Sequence, residues 1–388
     1  MLIKPSPMLI IPAIALLAVK IGAIPSVILL IILAIIRRQD RCFVEVSSLS
    51  ALLLLLTKVG LSKPIVLASM FLLLGHEFRK RAIWNIIVYT ALGLIFYELY
   101  DITVGLNWSL EYIAFLALMG GLTASLIESV DGGEFVLLLA VATVYTIFHI
   151  YAINVPLDQL AIAFIISLLL SLIATKSGVA DESGLLSATL IGTLTIVFSD
   201  IRIFIVLLLF YAIGSAVTKY KYSIKLERGI AEQAGGARGY ANVFSNSLPA
   251  LFFVMNYGVF KSKAFVVAFV SSVACALGDT MASEVGKTAK NVYLITNLKR
   301  VEPGVSGGIS VIGELAALLG CAIVCLSSIP LGILNLKESL LALTMAFLGV
   351  HIDSLLGATL EKRGWLNNAG VNFLATLSAG ILSYLLLR

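Results

Sequence analysis

Apolar runs long enough to cross a bilayer follow one another along almost the whole chain, and this constrains the fold more than any other feature. A membrane helix needs about 20 mostly apolar residues, and in hydrocarbon only helices and closed barrels satisfy every backbone polar group. The runs fall near residues 8–36, 45–57, 64–76, 83–99, 112–129, 135–153, 158–175, 184–199, 201–219, 247–260, 264–279, 307–330, 338–358 and 370–387. Three of them are short, so the expected count is about 14 spans within a range of about 11 to 14. Charged residues make up 13% of the chain, where a soluble domain carries roughly a quarter. The expected fold class is therefore all-α: a polytopic transmembrane helical bundle in the cell membrane. The first run is too long for the apolar core of a cleavable signal and has no small-residue cleavage site.

Basic residues set the orientation. If Arg37 and Arg38 are cytoplasmic and the spans alternate, the inner loops collect most of the 27 lysines and arginines. The net charge of +5 then belongs to those loops and implies no nucleic-acid partner. The two halves differ in character. Residues 1–175 have short loops and read as scaffold or lipid access. Residues 176–388 have longer polar loops and read as the catalytic part. Four cysteines lie in or beside apolar runs, where packing is the simpler role, and His149 reads as a packing residue for the same reason. Glu128, Asp131 and Glu134 surround a Gly132-Gly133 turn.

The densest polar stretch is Gly278-Asp279-Thr280-Met281-Ala282-Ser283-Glu284-Val285-Gly286-Lys287, at the end of an apolar run. Ionisable groups at a membrane boundary are costly and mark function. If the helix continues, Asp279, Ser283 and Gly286/Lys287 share one face. Carboxylate, hydroxyl and lysine together suit Mg²⁺ and phosphate oxygens. Gly286-Lys287-Thr288 is not the end of a P-loop, because Met281 stands where that motif needs glycine and no strand precedes it.

Three more clusters fall on the same expected face. Gly235, Gly236 and Arg238 offer close backbone approach and a guanidinium fork for phosphate, and Asn242 and Asn246 follow one helical turn apart. Lys299 and Arg300 precede Gly304, Ser306, Gly307 and Gly308, a glycine-rich entry to the next helix and a natural phosphate site. Asp353 lies inside the end of an apolar run and needs a partner. Asp181 and Glu182 form a fourth polar loop that reads as solvated. Tyr220, Tyr222, Ile224 and Leu226 alternate with Lys221, Lys225 and Glu227, which reads as an interfacial amphipathic segment.

The order GGARGYANVFSNS, GDTMASEVGK, KRVEPGVSGGIS, DSLLGATLE resembles an integral-membrane family that includes the plant phytyl-phosphate kinase of tocopherol synthesis. The resemblance covers about residues 180–388. The family is similar to the phytol kinases, dolichol kinases and phosphatidate cytidylyltransferases, which use CTP or another nucleotide with Mg²⁺. It usually has Gln at the position of Asn242 and commonly Trp at that of Met281. The resemblance implies Asp279, Glu284 and Asp353 as metal ligands, with Ser283 beside them. It implies Arg238, Lys299 and Arg300 as phosphate-gripping groups and Gly304, Gly307 and Gly308 as a phosphate cradle; Lys287, from the chemistry of its own stretch, is expected as a further catalytic cation.

The expected activity is a Mg²⁺-dependent kinase that converts an isoprenoid monophosphate to the diphosphate at the cytoplasmic face. CTP or another nucleoside triphosphate is the donor. Expected partners are those two substrates, membrane lipids and, in a homodimer, a second copy of the chain. A lipid-phosphate cytidylyltransferase uses the same parts. A transporter for anionic lipids would instead place charges near the membrane midplane.

Overall fold

The computed structural model describes residues 6–232 and 237–388. The chain divides into two compact units, residues 1–162 and 163–388. In chain order the helices are α1 (Ile10–Ile21), α2 (Ala23–Ile36), α3 (Arg41–Leu56), α4 (Lys63–Leu72), α5 (Ala82–Val104), α6 (Leu110–Ser129), α7 (Gly133–Tyr151), α8 (Leu157–Lys176), α9 (Glu182–Phe198), α10 (Ile201–Thr218), α11 (Tyr222–Glu227), α12 (Tyr240–Phe260), α13 (Lys263–Gly286), α14 (Val311–Ser327), α15 (Leu336–Leu356) and α16 (Asn368–Leu387). Among the described residues, ten helices are long and apolar enough to cross a membrane, and four shorter apolar helices accompany them. The protein is an all-α, polytopic integral membrane protein. The compact units divide inside α8, so Ala163 to Lys176 pack with the second unit rather than the first.

Two spans differ from the sequence reading for local reasons. The run 8–36 is two helices, because Gly22 adopts φ +87 and no α-helix continues through that conformation. The run 64–76 gives only the ten-residue α4 followed by a 3-10 turn, Leu73–Phe78.

The acidic turn after α6 forms as read, with Gly133 at φ +73, and it organises the first unit. His76, past the end of α4, places Nδ1 2.7 Å from Glu128 Oε1 and Nε2 3.2 Å from Glu134 Oε1. Tyr89 Oη donates to Glu128 Oε1 at 2.5 Å, and Arg79 reaches Glu128 at 3.6 Å. The Glu128 hydrogen bond holds the His76 imidazolium above its usual range, against the pull of burial. A folded-state value above the unfolded one stabilises the fold below about pH 6.5 and is lost as pH rises through the raised value. We expect His76→Gln to lower the thermal midpoint at about pH 6 and the gap to wild type to narrow toward about pH 9. A gap independent of pH would show that only ring packing matters. His149 takes a hydrogen bond with Tyr112 Oη at 2.8 Å, consistent with a packing role.

The second unit is built around α13, which packs against α10, α12, α14, α15 and α16. Small residues make this possible, as expected for helix association in lipid. A Cβ on Gly278 would lie 2.4 Å from Cys321 Sγ, and one on Gly320 would lie 3.0 Å from Gly278 Cα. The α13 and α14 backbones therefore touch at this point. Ser272 Oγ donates to Thr376 O at 2.8 Å and ties α13 to α16. Cys275, Cys321 and Cys325 are fully buried packing residues here.

Between α13 and α14 the loop forms a small antiparallel sheet in the order β2-β1-β3, made of β1 (Val292–Leu294), β2 (Arg300–Val301) and β3 (Gly308–Ile309). A final π-helical turn, Gly357–Glu361, ends α15.

Candidate active site

A cavity of about 450 Å³ opens in the second unit, lined from α12, α13, the small sheet, α14, α15 and α16. Helix α13 runs on to Gly286, so Asp279, Ser283 and Glu284 all stand on its last turns and line the cavity. Asp279 follows directly on Gly278, where α13 meets α14. Asp353 reaches the same cavity from α15, and the two carboxyls lie within interaction range of each other. Asp353 Oδ2 is buried and has no hydrogen-bond partner. Two carboxylates offer each other no donor, so this pair asks for a cation or a proton.

Glu284 is already occupied. Its Oε2 takes the ammonium of Lys225, which is fully buried and also donates to Thr218 O at 2.5 Å. Its Oε1 takes Lys287 Nζ at 2.7 Å. Both oxygens are spoken for, so the expectation of Glu284 as a metal ligand is replaced by a buried ion pair. Lys287 lines the cavity and also meets Glu232 at 3.0 Å. Burial opposes its charge, but the Glu284 hydrogen bond and charge outweigh burial and hold the ammonium above its usual value. Lys225 was read as a solvent-side residue of an amphipathic segment. Instead α11 is one and a half turns long, and Lys225 turns inward to meet the acid of α13. No signal in the alternating sequence distinguishes that lysine from its exposed neighbour Lys221.

Arg238 is clasped by the loop before α9. Its N–H donates to Val179 O at 2.8 Å, and its carbonyl accepts from Asp181 N at 3.3 Å. Gly184 must lack a side chain, because a Cβ there would lie 2.1 Å from Arg238 O. Asp181 caps α9 through Gly184 N at 2.8 Å and accepts from Ser183 Oγ at 2.7 Å; Asp181 and Glu182 are exposed, as read, and the backbone of the same loop also holds Arg238. The guanidinium is 5.2 Å over the Phe210 ring, and its Nη1 is buried without a partner. Burial pushes it down from its usual value, with Tyr211, Glu232 and Glu284 opposing the shift. An arginine remains charged in such a place, and a buried lone cation favours an anion. Asn246 donates back to Asn242 O at 2.9 Å, while Asn242 Oδ1 is a third buried atom with no partner. Gly235 and Gly236 lie outside the described residues.

Gly304, Ser306, Gly307 and Gly308 line the cavity. Gly307 has φ +76, and a Cβ there would lie 2.6 Å from Ser354 O. This glycine lets the loop press against the end of α15 and so fixes Asp353. The next helix begins after these glycines, with Ser310 capping α14 through Gly313 N at 3.2 Å. Lys299 and Arg300 do not line the cavity. The β1–β2 hairpin carries them outward, where both are exposed and Arg300 Nη2 donates to Lys290 O at 3.4 Å. The expected grip of these two residues on phosphate therefore has no counterpart in the cavity lining.

Sequence reasoning missed Glu314 and Glu361, which also line the cavity. Glu314, in the first turn of α14, is 3.3 Å from His351 Nε2. The charged lining is thus Glu232, Asp279, Glu284, Glu314, Asp353 and Glu361 against Arg238 and Lys287. Six acids against two bases make such a wall unfavourable to a bare anion. No group of three or more His, Cys, Asp or Glu side chains is poised to hold a metal among the described residues. Mg²⁺ needs no such cage, since it binds through one or two carboxylates together with waters and phosphates.

The integral membrane protein family DUF92 matches residues 165–380, more than half of the chain and nearly all of the second unit. The chain belongs to the DUF92 family. One relative, the "uncharacterized membrane protein MJ0933" of Methanocaldococcus jannaschii, is 31% identical over 232 residues, 59% of this chain and 95% of the relative. The "uncharacterized membrane protein sll0875" of Synechocystis is 33% identical over 180 residues, 45% of this chain and 70% of the relative. "Protein VTE6, chloroplastic" of Arabidopsis thaliana is 34% identical over 218 residues, 53% of this chain and 65% of that protein. No solved structure matches. Every residue that lines the cavity, from Thr218 to Asn372, falls within the region matched by DUF92.

Proposed function

We propose that this DUF92 protein is a prenyl-lipid enzyme that transfers the terminal phosphoryl group of a nucleoside triphosphate to an isoprenoid monophosphate. The observation that carries this reading is a set of three buried, unpartnered atoms in one cavity: Arg238 Nη1, Asn242 Oδ1 and Asp353 Oδ2. A lone cation suits a phosphate, a lone carboxylate suits a metal, and an amide oxygen suits a nucleotide or water donor. The motif resemblance to phytyl-phosphate kinases supports the choice of a lipid phosphate as acceptor.

An oxygen of the acceptor monophosphate attacks the γ-phosphorus, the bond from γ-phosphorus to the bridging oxygen breaks, and nucleoside diphosphate leaves. A phosphate monoester is largely ionised near neutral pH, with a second pKa of about 6, so no strong base is required. What the reaction requires is positioning and neutralisation of crowded negative charge. Arg238 holds the acceptor phosphate, and Lys287, steadied by Glu284, faces the transferred group. Asp279 and Asp353 would hold Mg²⁺, which supplies charge neutralisation at the polyphosphate.

The test uses purified protein in detergent with Mg²⁺, geranylgeranyl or phytyl monophosphate, and each nucleoside triphosphate labelled at its γ-phosphate. Label recovered in a lipid diphosphate supports the proposal and names the donor. Labelled pyrophosphate released only with CTP would move the protein to the lipid-phosphate cytidylyltransferases. Neither product with any nucleotide would overturn the reading.

A further inference from the structure

A second, smaller cavity of about 80 Å³ lies in the same unit, between the inner faces of α8, α9 and α10. Its wall is mostly apolar and includes Ala174, Ala188, Leu207 and Tyr211. Among the described residues, Arg238 is the one side chain that lines both this slot and the polar cavity. The guanidinium leans on α10, where a Cβ at Gly214 would lie 2.8 Å from Nη2. Two hydroxyls on the slot, Ser167 Oγ and Ser215 Oγ, are buried with no partner, as is Arg238 Nη1. Buried hydroxyls left unpaired cost about 1–3 kcal/mol each, so the slot is not closely packed, and hydrocarbon would leave them unpaired; what suits a carbon chain is the rest of the wall, which is apolar.

We infer that this slot receives the carbons next to the phosphate of the lipid substrate, with Arg238 marking the boundary between head and chain. The inference rests on the lipid-phosphate reading above and adds a rule for selectivity. A cavity of about 150 Å³ takes a benzene-sized molecule, so one of 80 Å³ takes only a few carbons. The remaining chain must leave toward the bilayer. Helix α8 is the wall on that side: Ile165, Leu169 and Ile173 are exposed, whereas Ser167, Leu170 and Ala174 line the slot. On the slot wall α8 and α9 approach closely, since a Cβ on Gly192 would meet Ser167 Oγ at 2.7 Å. The enzyme thus discriminates by chain shape beside the phosphate and is indifferent to total chain length.

The test does not depend on turnover. A prenyl monophosphate carrying a diazirine on its first isoprene unit is photolysed with the full-length protein, and labelled peptides are mapped. Label within residues 163–176, 182–198 or 201–218 is expected. Unlabelled prenyl monophosphate should compete it away, and inorganic phosphate should not. Ala188→Phe fills the slot from α9 and should remove the label. It should also raise the KM for prenyl monophosphate at least about tenfold while leaving the nucleotide KM unchanged. Ala174→Leu, on the lipid-side wall, gives the same comparison if the first variant fails to fold. Label in other helices, or label that survives both substitutions, overturns the slot even if the kinase assay succeeds. Competed label in these helices with no lipid diphosphate formed would uphold the slot and reject the kinase reaction. Label displaced equally by inorganic phosphate would show that only the head is recognised, and would overturn the chain-binding role.

Discussion

Asp279→Asn is expected to lower phosphorylation of the prenyl monophosphate by about a thousandfold or more while the protein still folds. Asp353→Asn should do the same. Losses of this size are usual where a charge is removed from a phosphoryl-transfer site. Both substitutions replace a carboxylate by an isosteric amide, and Asp353 Oδ2 has no hydrogen-bond partner to lose. The measurement is kcat in detergent at saturating nucleotide, together with the thermal midpoint. Wild-type turnover in either variant would remove that residue from the mechanism. Mg²⁺ titration adds a sharper reading, because a metal ligand should shift the Mg²⁺ dependence and a packing residue should not.

Lys225→Met should be the most destabilising of the single changes considered. Lys225 is fully buried and pairs with Glu284, itself only 3% exposed. Removing one member of a buried pair costs about 3–5 kcal/mol, because the other charge is left behind. Lys287 still reaches Glu284 at 2.7 Å, so the lower end, about 3 kcal/mol, is expected. The double variant Lys225→Met with Glu284→Gln should recover most of the loss in thermal midpoint. If the single variant melts with wild type, the pair does not hold α11 to α13. Activity of the double variant reports what Lys287 does when Glu232, at 3.0 Å, is its one remaining carboxylate partner among the described residues.

The architecture was legible because a membrane helix must be long and apolar, and that signal survives every detail of packing. Asp279, Ser283 and Glu284 were legible too, because charge following so apolar a run is expensive and the helix has no reason to stop before Gly286. The partners of these residues were not. Glu284 was expected as a metal ligand from the motif resemblance. Its fate depends on Lys225, far away in the chain, and a lysine's burial leaves no trace in local alternation. Lys299 and Arg300 looked like a phosphate grip because they precede glycines. A hairpin of two- and three-residue strands is too short to show a period of two, and it turns both outward. Gly307 was read as a phosphate cradle for its missing side chain, and that same feature also admits the carbonyl of Ser354.

The backbone contact between Gly278 and Gly320 works as a fulcrum. Ser310, on the cavity wall, lies ten residues from Gly320 along α14, a lever arm of roughly 15 Å at 1.5 Å per residue. A wedge at the fulcrum that tilts α14 by about 4° would swing that end by about 1 Å, a displacement that can cost about a hundredfold in rate. Methyl groups added at Gly278 or Gly320 would thus be felt at the far end of the rod, with every catalytic side chain untouched.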